Sequence, residues 1–300
     1  MIWVNQIVQG ILLGGYYALI ACGLSFMFGV MRIINLAHGD LAVLAAFLVW
    51  SIVGYTGMSP FLALAIVLPV MGGLGWLMQR AMLERSLRAG MLVPLLTTFG
   101  LGIVLQNLLF AYYGADTRSL APAIGDLAFD SWSLGSQIYI SHLAGLIFLV
   151  AVLLLGGLQL LLAWTPLGRA IRATAEDPDT AELVGINSRA VYAAAAAIAV
   201  MTVAVGGTFL GMRATFGPYA GPTQLIFAFE AVVIGGLGSM WGTLFGGIVL
   251  GVAQNIGAQI APNGFLIAGH AVFLLVLGAR LASGSVIARG RIRALLGRSP

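Results

Sequence analysis

Several residues in this chain combine ionisable chemistry with an apolar setting. The first group is Asn35-Leu36-Ala37-His38-Gly39-Asp40, where an amide, an imidazole and a carboxylate stand at the mouth of an apolar run. Lipid makes such groups expensive, since an Asp at the centre of a membrane helix costs about 3 kcal/mol on insertion scales. Asp40 and His38 are therefore expected to face protein partners or a water-filled cavity. Gly39 permits a broken helix of the kind that lines substrate paths in transporters. The competing reading is an interfacial cap, with Asn35 or Asp40 satisfying free backbone amides. The second candidate is Glu230, the only acid deep in an apolar run, with Arg213, His270 and His38 as candidate partners. An intramembrane acid is a functional candidate by default, and a structural ion pair is its alternative.

Other chemistry is excluded by residue type. All 14 basic residues are arginine, so a Walker A phosphate loop and lysine Schiff-base chemistry are both absent. Any ATP hydrolysis must come from a partner. Cys22 is the sole cysteine and sits in the first apolar run, which rules out an internal disulfide. No Cys/His cluster or His-Glu-x-x-His spacing supports a metal, and no nucleophile-base motif supports catalysis. His142, at the start of a span, reads as an interfacial residue.

The elements that must position these residues follow from composition. The 300 residues are 60% hydrophobic and 8% charged, with a mean hydropathy of +1.03, whereas soluble domains carry about a quarter charged residues. A bilayer core needs roughly 20 apolar residues per helical crossing. The chain is thus expected to be an all-α polytopic transmembrane helix bundle of about eight to ten spans, a single domain over 1–300. Apolar runs fall at 6–30, 36–54, 60–79, 91–113, 142–164 and 190–212, with three less regular ones at 225–237, 242–260 and 265–278. Nine crossings fit best, and the run at 6–30 reads as a retained first span rather than a cleaved leader.

Arginines set the orientation, because they concentrate in cytoplasmic loops. Arg80, Arg85 and Arg88, then Arg169, Arg172 and Arg189, then Arg280, Arg289, Arg291, Arg293 and Arg298 in the tail at 280–300, place their segments inside. The segment 114–141 has Arg118 against Asp116, Asp126 and Asp130 and is placed outside, as is the N-terminus by alternation. The net charge of +4 is explained by topology and anionic lipid, with no nucleic-acid partner implied.

Glycine and proline mark two further segments. Gly238, Gly242 and Gly246 recur every fourth residue, as do Gly247 and Gly251, which puts flat faces on one helix for close packing or a bend. In the loop 165–189, Thr165-Pro166 and Asp177-Pro178 each read as an N-cap followed by the first helical residue, and Gly185 as a stop. Two short helices in a hairpin are expected. Ala181, Leu183 and Val184 give the second an apolar side that needs a groove, and a partner subunit is the natural one; the bilayer surface is the alternative.

With these pieces in place, the chain resembles the H-type permease of branched-chain amino-acid ABC importers. The likeness runs nearly end to end. It rests on Gly14-Gly15-Tyr16-Tyr17-Ala18-Leu19-Ile20-Ala21 with Gly23-Leu24, on Asn35 to Asp40, on Gly168-Arg169-Ala170-Ile171-Arg172-Ala173 with Asp177 and Gly185-Ile186, and on Gly235-Gly236-Leu237-Gly238-Ser239. The motifs do not separate leucine from urea or short amides. The resemblance implies a bacterial inner-membrane importer with broken or re-entrant helices, a second M-type permease, two cytosolic ATPase subunits that bind ATP and Mg, and an extracytoplasmic binding protein. No cofactor or catalytic group is implied in this chain. The candidate substrate-path residues are Asn35, His38, Asp40 and Ser239 within these motifs and Glu230 from its apolar setting. The segment 175–186, with Glu176, Asp177, Ala181, Glu182, Leu183, Gly185 and Ile186, would be the coupling helix that docks on the ATPase. Glu230 departs from the family pattern. The reading from a different class is a proton-coupled secondary transporter, favoured by Asp40, His38 and Glu230.

Overall fold

The computed structural model describes residues 2–90, 92–134 and 138–296, with the side chains of 88, 134, 138 and 283–296 outside that description. The tail arginines Arg289, Arg291, Arg293 and Arg298, and the side chain of Arg88, therefore lie outside the described side chains. Elements run in the order α1 (Ile2–Met31), α2 (His38–Thr56), and α3 (Pro60–Met78), which passes through a π-helical turn, Gln79–Leu83, into α4 (Glu84–Arg88). Next come α5 (Val93–Tyr113), a 3-10 turn (Ala121–Ile124), α6 (Asp126–Phe129), and the antiparallel pair β1 (Ser131–Leu134) and β2 (Ile138–Ser141). The remainder is α7 (His142–Trp164), α8 (Pro166–Glu176), α9 (Pro178–Leu183), α10 (Ser188–Arg213), α11 (Gly221–Gly235), α12 (Met240–Ile260) and α13 (Gly264–Leu296).

Eight helices among the described residues are long and apolar enough to cross a bilayer. The ninth expected crossing is α11, which has only 15 residues because Pro222 starts it and Gly235-Gly236 ends it. At 1.5 Å per residue it reaches about 22 Å, short of a hydrocarbon core of about 30 Å. Apolar side chains such as Leu108 on α5, Leu153 on α7 and Leu274 and Leu275 on α13 point outward, as expected where lipid is the solvent.

The centre of the bundle is α1, sheathed by α12, α10, α7 and α11. Small residues bring the backbones together. Gly247 and Gly251 of α12 face Gly14 and Gly10 of α1, while Gly242 and Gly246 face Gly235 and Ala231 of α11. The four-residue spacing thus serves two partners. Gly238 does not join that stripe: it lies before α12, at φ +81, in a turn that only glycine adopts without strain. Gly242→Leu is expected to destabilise the subunit by about 1–3 kcal/mol. Even a Cβ at Gly242 would meet the carbonyl oxygen of Gly235, a backbone atom that cannot swing away. An unchanged melting midpoint in detergent would refute this.

The two ends of the bundle differ in charge. Arg189 at the start of α10 pairs with Glu84 of α4 at 3.2 Å, and Arg80 reaches the same carboxylate at 3.6 Å, so the segments after α3 and after α7 share one end. Arg280 of α13 donates to the carbonyl of Ile234 at 2.9 Å, near the last residue of α11. At the other end residues 114–134 and 138–141 fold back over the bundle. Arg118 and Phe216 exchange backbone hydrogen bonds, and Gln9 of α1 donates to the carbonyl of Tyr139.

Candidate functional site

Two helices, α2 and α11, begin in the middle of the bundle. Arg32, at φ +55, turns the chain out of α1, and residues 32–37 climb back along it without helical structure. Asn35 Oδ1 accepts the Ala37 N–H at 3.0 Å, and Thr98 Oγ1 of α5 accepts the Leu36 N–H at 3.0 Å. Only then does α2 begin. His38, its first residue, bonds through Nε2 to the carbonyl of Ile20 at 2.7 Å. Ile20 lies about 16 Å before the end of α1 at 1.5 Å per residue. The start of α2 is therefore buried at mid-height in the bundle. Gly39 and Asp40 there meet Gly221, so α11 begins at the same level.

Asp40 occupies the first turn of α2, where the free N–H groups of the helix favour a negative charge. Gln106 of α5 donates to its Oδ1 at 3.0 Å, and the bare Cα of Gly102 and Gly221 leave the carboxylate its room. Asn35, His38 and Asp40 are all buried, and each has a specific protein partner. Protein partners of the kind expected for these residues are present for all three. The Asn35 side chain does cap an amide, but deep within the fold instead of at the headgroups. Gln106 and Thr98, polar groups within the apolar run of α5, were not picked out from the sequence; their three-residue neighbours are apolar and carry no motif.

Glu230 stands apart from that group. Its Oε1 contacts His270 Nδ1 of α13, so the partner is His270 and not Arg213 or His38. Glu230 is 3% exposed, and among the described residues its Oε2 has no hydrogen-bond partner. It borders an apolar cavity of about 310 Å³ lined by Ile34 and Leu36 of the 32–37 segment, Leu95 of α5, Leu225 and Phe229 of α11, and Phe273 of α13. The Asn35 motif and Glu230 thus converge, through the apolar neighbours of Asn35 rather than through its polar members. Ser239 lies elsewhere. Its Oγ caps α12 by accepting the Gly242 N–H at 3.1 Å, and its carbonyl accepts from Thr243 Oγ1 at 2.8 Å.

The loop 165–189 folds as the two expected short helices. Thr165 Oγ1 accepts the Gly168 N–H at 2.9 Å to open α8. Asp177 Oδ1 accepts the N–H groups of Asp179 and Thr180 at 3.0 and 3.2 Å to open α9. Gly185, at φ +87, ends it. The Thr180 hydroxyl, its N–H and the Asp179 N–H hold the Asp177 carboxyl below its ordinary pKa. A depressed carboxyl pKa means that this cap is fully formed above the unfolded-state pKa. Its contribution disappears as pH falls through the folded-state value. The apolar side of α9 is divided, contrary to expectation: Ala181 is 3% exposed and packs inward, whereas Leu183 and Val184 are 86% and 74% exposed. A six-residue helix turns Ala181 and Leu183 about 200° apart, so they cannot share one face. Glu176, Glu182 and Gly185 are exposed beside them.

Among the described residues no three His, Cys, Asp or Glu side chains gather as a metal site. Cys22 is buried and unpaired, and His142 packs against Trp132 with ring centroids 4.3 Å apart and planes tilted by 53°.

Relatives place this architecture. The chain is 34% identical over 269 residues, 86% of this chain and 87% of the relative, to a high-affinity branched-chain amino acid transport system permease protein, BraD, of Pseudomonas aeruginosa. It is 29% identical over 289 residues, 92% of each chain, to the corresponding protein LivH of Salmonella typhimurium. A probable branched-chain amino acid transport permease protein of Methanocaldococcus jannaschii is 25% identical over 288 residues, 92% of this chain and 90% of the relative. No solved structure matches significantly. The family described as branched-chain amino acid transport system / permease component matches residues 6–281, nearly the whole helical bundle with both α2 and α11, which begin inside it, and the chain belongs to that family.

Proposed function

We propose that this chain is one of two membrane subunits of an ATP-driven importer of branched-chain amino acids. It forms part of the translocation path in a bacterial inner membrane, with the arginine-rich end and the C-terminus in the cytoplasm. A second permease subunit, two ATPase subunits and an extracytoplasmic binding protein complete the machine. The substrate path runs past the 32–37 segment and the Glu230 cavity, whose aliphatic and aromatic lining suits a branched alkyl side chain. Asn35, His38 and Asp40 hold that segment in place. The loop 165–189 is the coupling element.

The observation that carries the partnership is the bare pair Leu183 and Val184 on the arginine-rich end. A well-capped short helix holding two large apolar side chains out of its own fold is built to be covered by another protein. The absence of lysine supports a separate ATPase. A proton-coupled carrier finds less support, since His38 and Asp40 are each committed to a packing bond.

The test is leucine uptake into vesicles containing the co-expressed subunits. Uptake should require enclosed ATP and the ATPase partner, and the purified chain alone should hydrolyse no ATP. ATP turnover by the isolated chain, or leucine uptake driven by a pH gradient without ATP, would overturn the proposal.

A further inference from the structure

A second cavity, of about 420 Å³, opens at the end of the bundle beneath the 114–141 segment, and it shares no lining residue with the Glu230 cavity. Its size is within the range of small-molecule sites. Arg213, the last residue of α10, lines it, and the guanidinium carbon stands 4.8 Å from the centroid of the Tyr16 ring. Tyr16 is itself fixed, since its hydroxyl donates to Gln224 Oε1 at 2.7 Å and its ring is buried. Among the described residues no carboxylate pairs with Arg213 and no acceptor takes its N–H groups.

The rest of the lining is complementary to more than an anion. Gln9 donates its amide N–H to the Tyr139 carbonyl, and Asn255 donates to the Gly251 carbonyl at 3.0 Å. Each therefore keeps an amide oxygen that no described residue engages. Leu12, Leu13, Leu143 and Ile147 supply an aliphatic wall. A planar guanidinium binds carboxylates through two parallel hydrogen bonds, amide oxygens accept from an ammonium, and the wall takes an alkyl group.

We propose that this cavity is a docking site for a free aliphatic α-amino acid. Arg213 binds the carboxylate against Tyr16, and Gln9 and Asn255 receive the ammonium. The site deepens the importer reading and rests on it for the cargo, which would pause here at the mouth on the side of the 114–141 segment before reaching the Glu230 cavity. A lipid phosphate offers Arg213 the same anionic chemistry, so the test must separate the two sources.

In the assembled transporter, labelling of Arg213 by an arginine-specific dicarbonyl is followed by mass spectrometry of its peptide. Leucine should slow labelling severalfold, and leucinol, which lacks the carboxylate, should not. Exchange of phosphatidylcholine for phosphatidylglycerol should leave the rate unchanged. Arg213→Gln should raise the KM for leucine uptake about tenfold with little change in kcat, as loss of a charged hydrogen-bond pair implies, and Arg213→Lys should fall between. Equal protection by leucine and leucinol, or labelling that follows lipid charge alone, overturns the docking site while leaving the importer reading standing. Protection by both leucine and the branched carboxylate isovalerate, in a transporter that imports no leucine, keeps the site and removes the cargo assignment.

Discussion

Leu183→Asp is expected to bring ATP-driven uptake down to background while the subunit inserts and is extracted in normal yield. Leu183 is 86% exposed, so the substitution removes no packing from the chain itself. The Asp177 cap and the Gly185 stop, which define α9, are untouched. Against a partner, however, the new carboxylate must be buried without a counter-charge, which opposes docking by several kcal/mol. Co-purification of the ATPase and its substrate-stimulated turnover should therefore fall together with uptake. Ala181→Asp is the informative contrast, because Ala181 is 3% exposed and its loss should damage the hairpin itself. Normal assembly and turnover in Leu183→Asp would show that α9 is not the coupling element and that it rests on the bilayer surface.

Gly221→Val should be the most damaging single change inside the bundle. A Cβ at Gly221 would fall on Asp40 Oδ1 and within 2.8 Å of the Asp40 backbone nitrogen, and a Cβ at Gly39 would strike the Gly221 carbonyl. Both helices begin at this crossing, so neither can retreat without moving the other. Overpacking typically costs about 1–3 kcal/mol where neighbours can adjust, and the upper end is expected where backbone is the obstacle. The Asp40–Gln106 bond should be lost with it, and uptake should fail. Gly100→Ala, on α5 with nothing within 4 Å of its Cβ position, is the control and should be neutral or slightly stabilising. Equal melting midpoints for Gly221→Val and Gly100→Ala would contradict the crossing.

Local signals in the sequence were read correctly where the physics is local. Thr165 and Asp177 before prolines mark two helix starts, because capping involves only the next three residues. The π turn at Gln79–Leu83 left no comparable trace, whereas α11 was read as a full crossing although Pro222 and Gly235-Gly236 bound it, because its apolar run resembles those of the longer helices. Gly238 shared the four-residue spacing of Gly242 and Gly246 but lies in a turn, because spacing alone does not say where a helix begins.

The sequence by itself determined that lipid is the solvent, that one end of the bundle is basic, that the chain carries no lysine for a Walker A loop, and that Asn35 to Asp40 and 165–189 are its two informative segments. These follow from composition and from contacts within one helical turn. Tertiary structure alone decided who meets whom. It joined Glu230 to His270 across 40 residues rather than to Arg213, and Asp40 to Gln106 across 66. It also divided Ala181 from Leu183 and left Arg213 over a tyrosine ring at a cavity mouth. In an apolar chain almost every helix face is hydrophobic, so the pattern that orients helices in water is missing. Which small residues let two backbones close, and which polar side chains then find each other, is settled only when the helices pack.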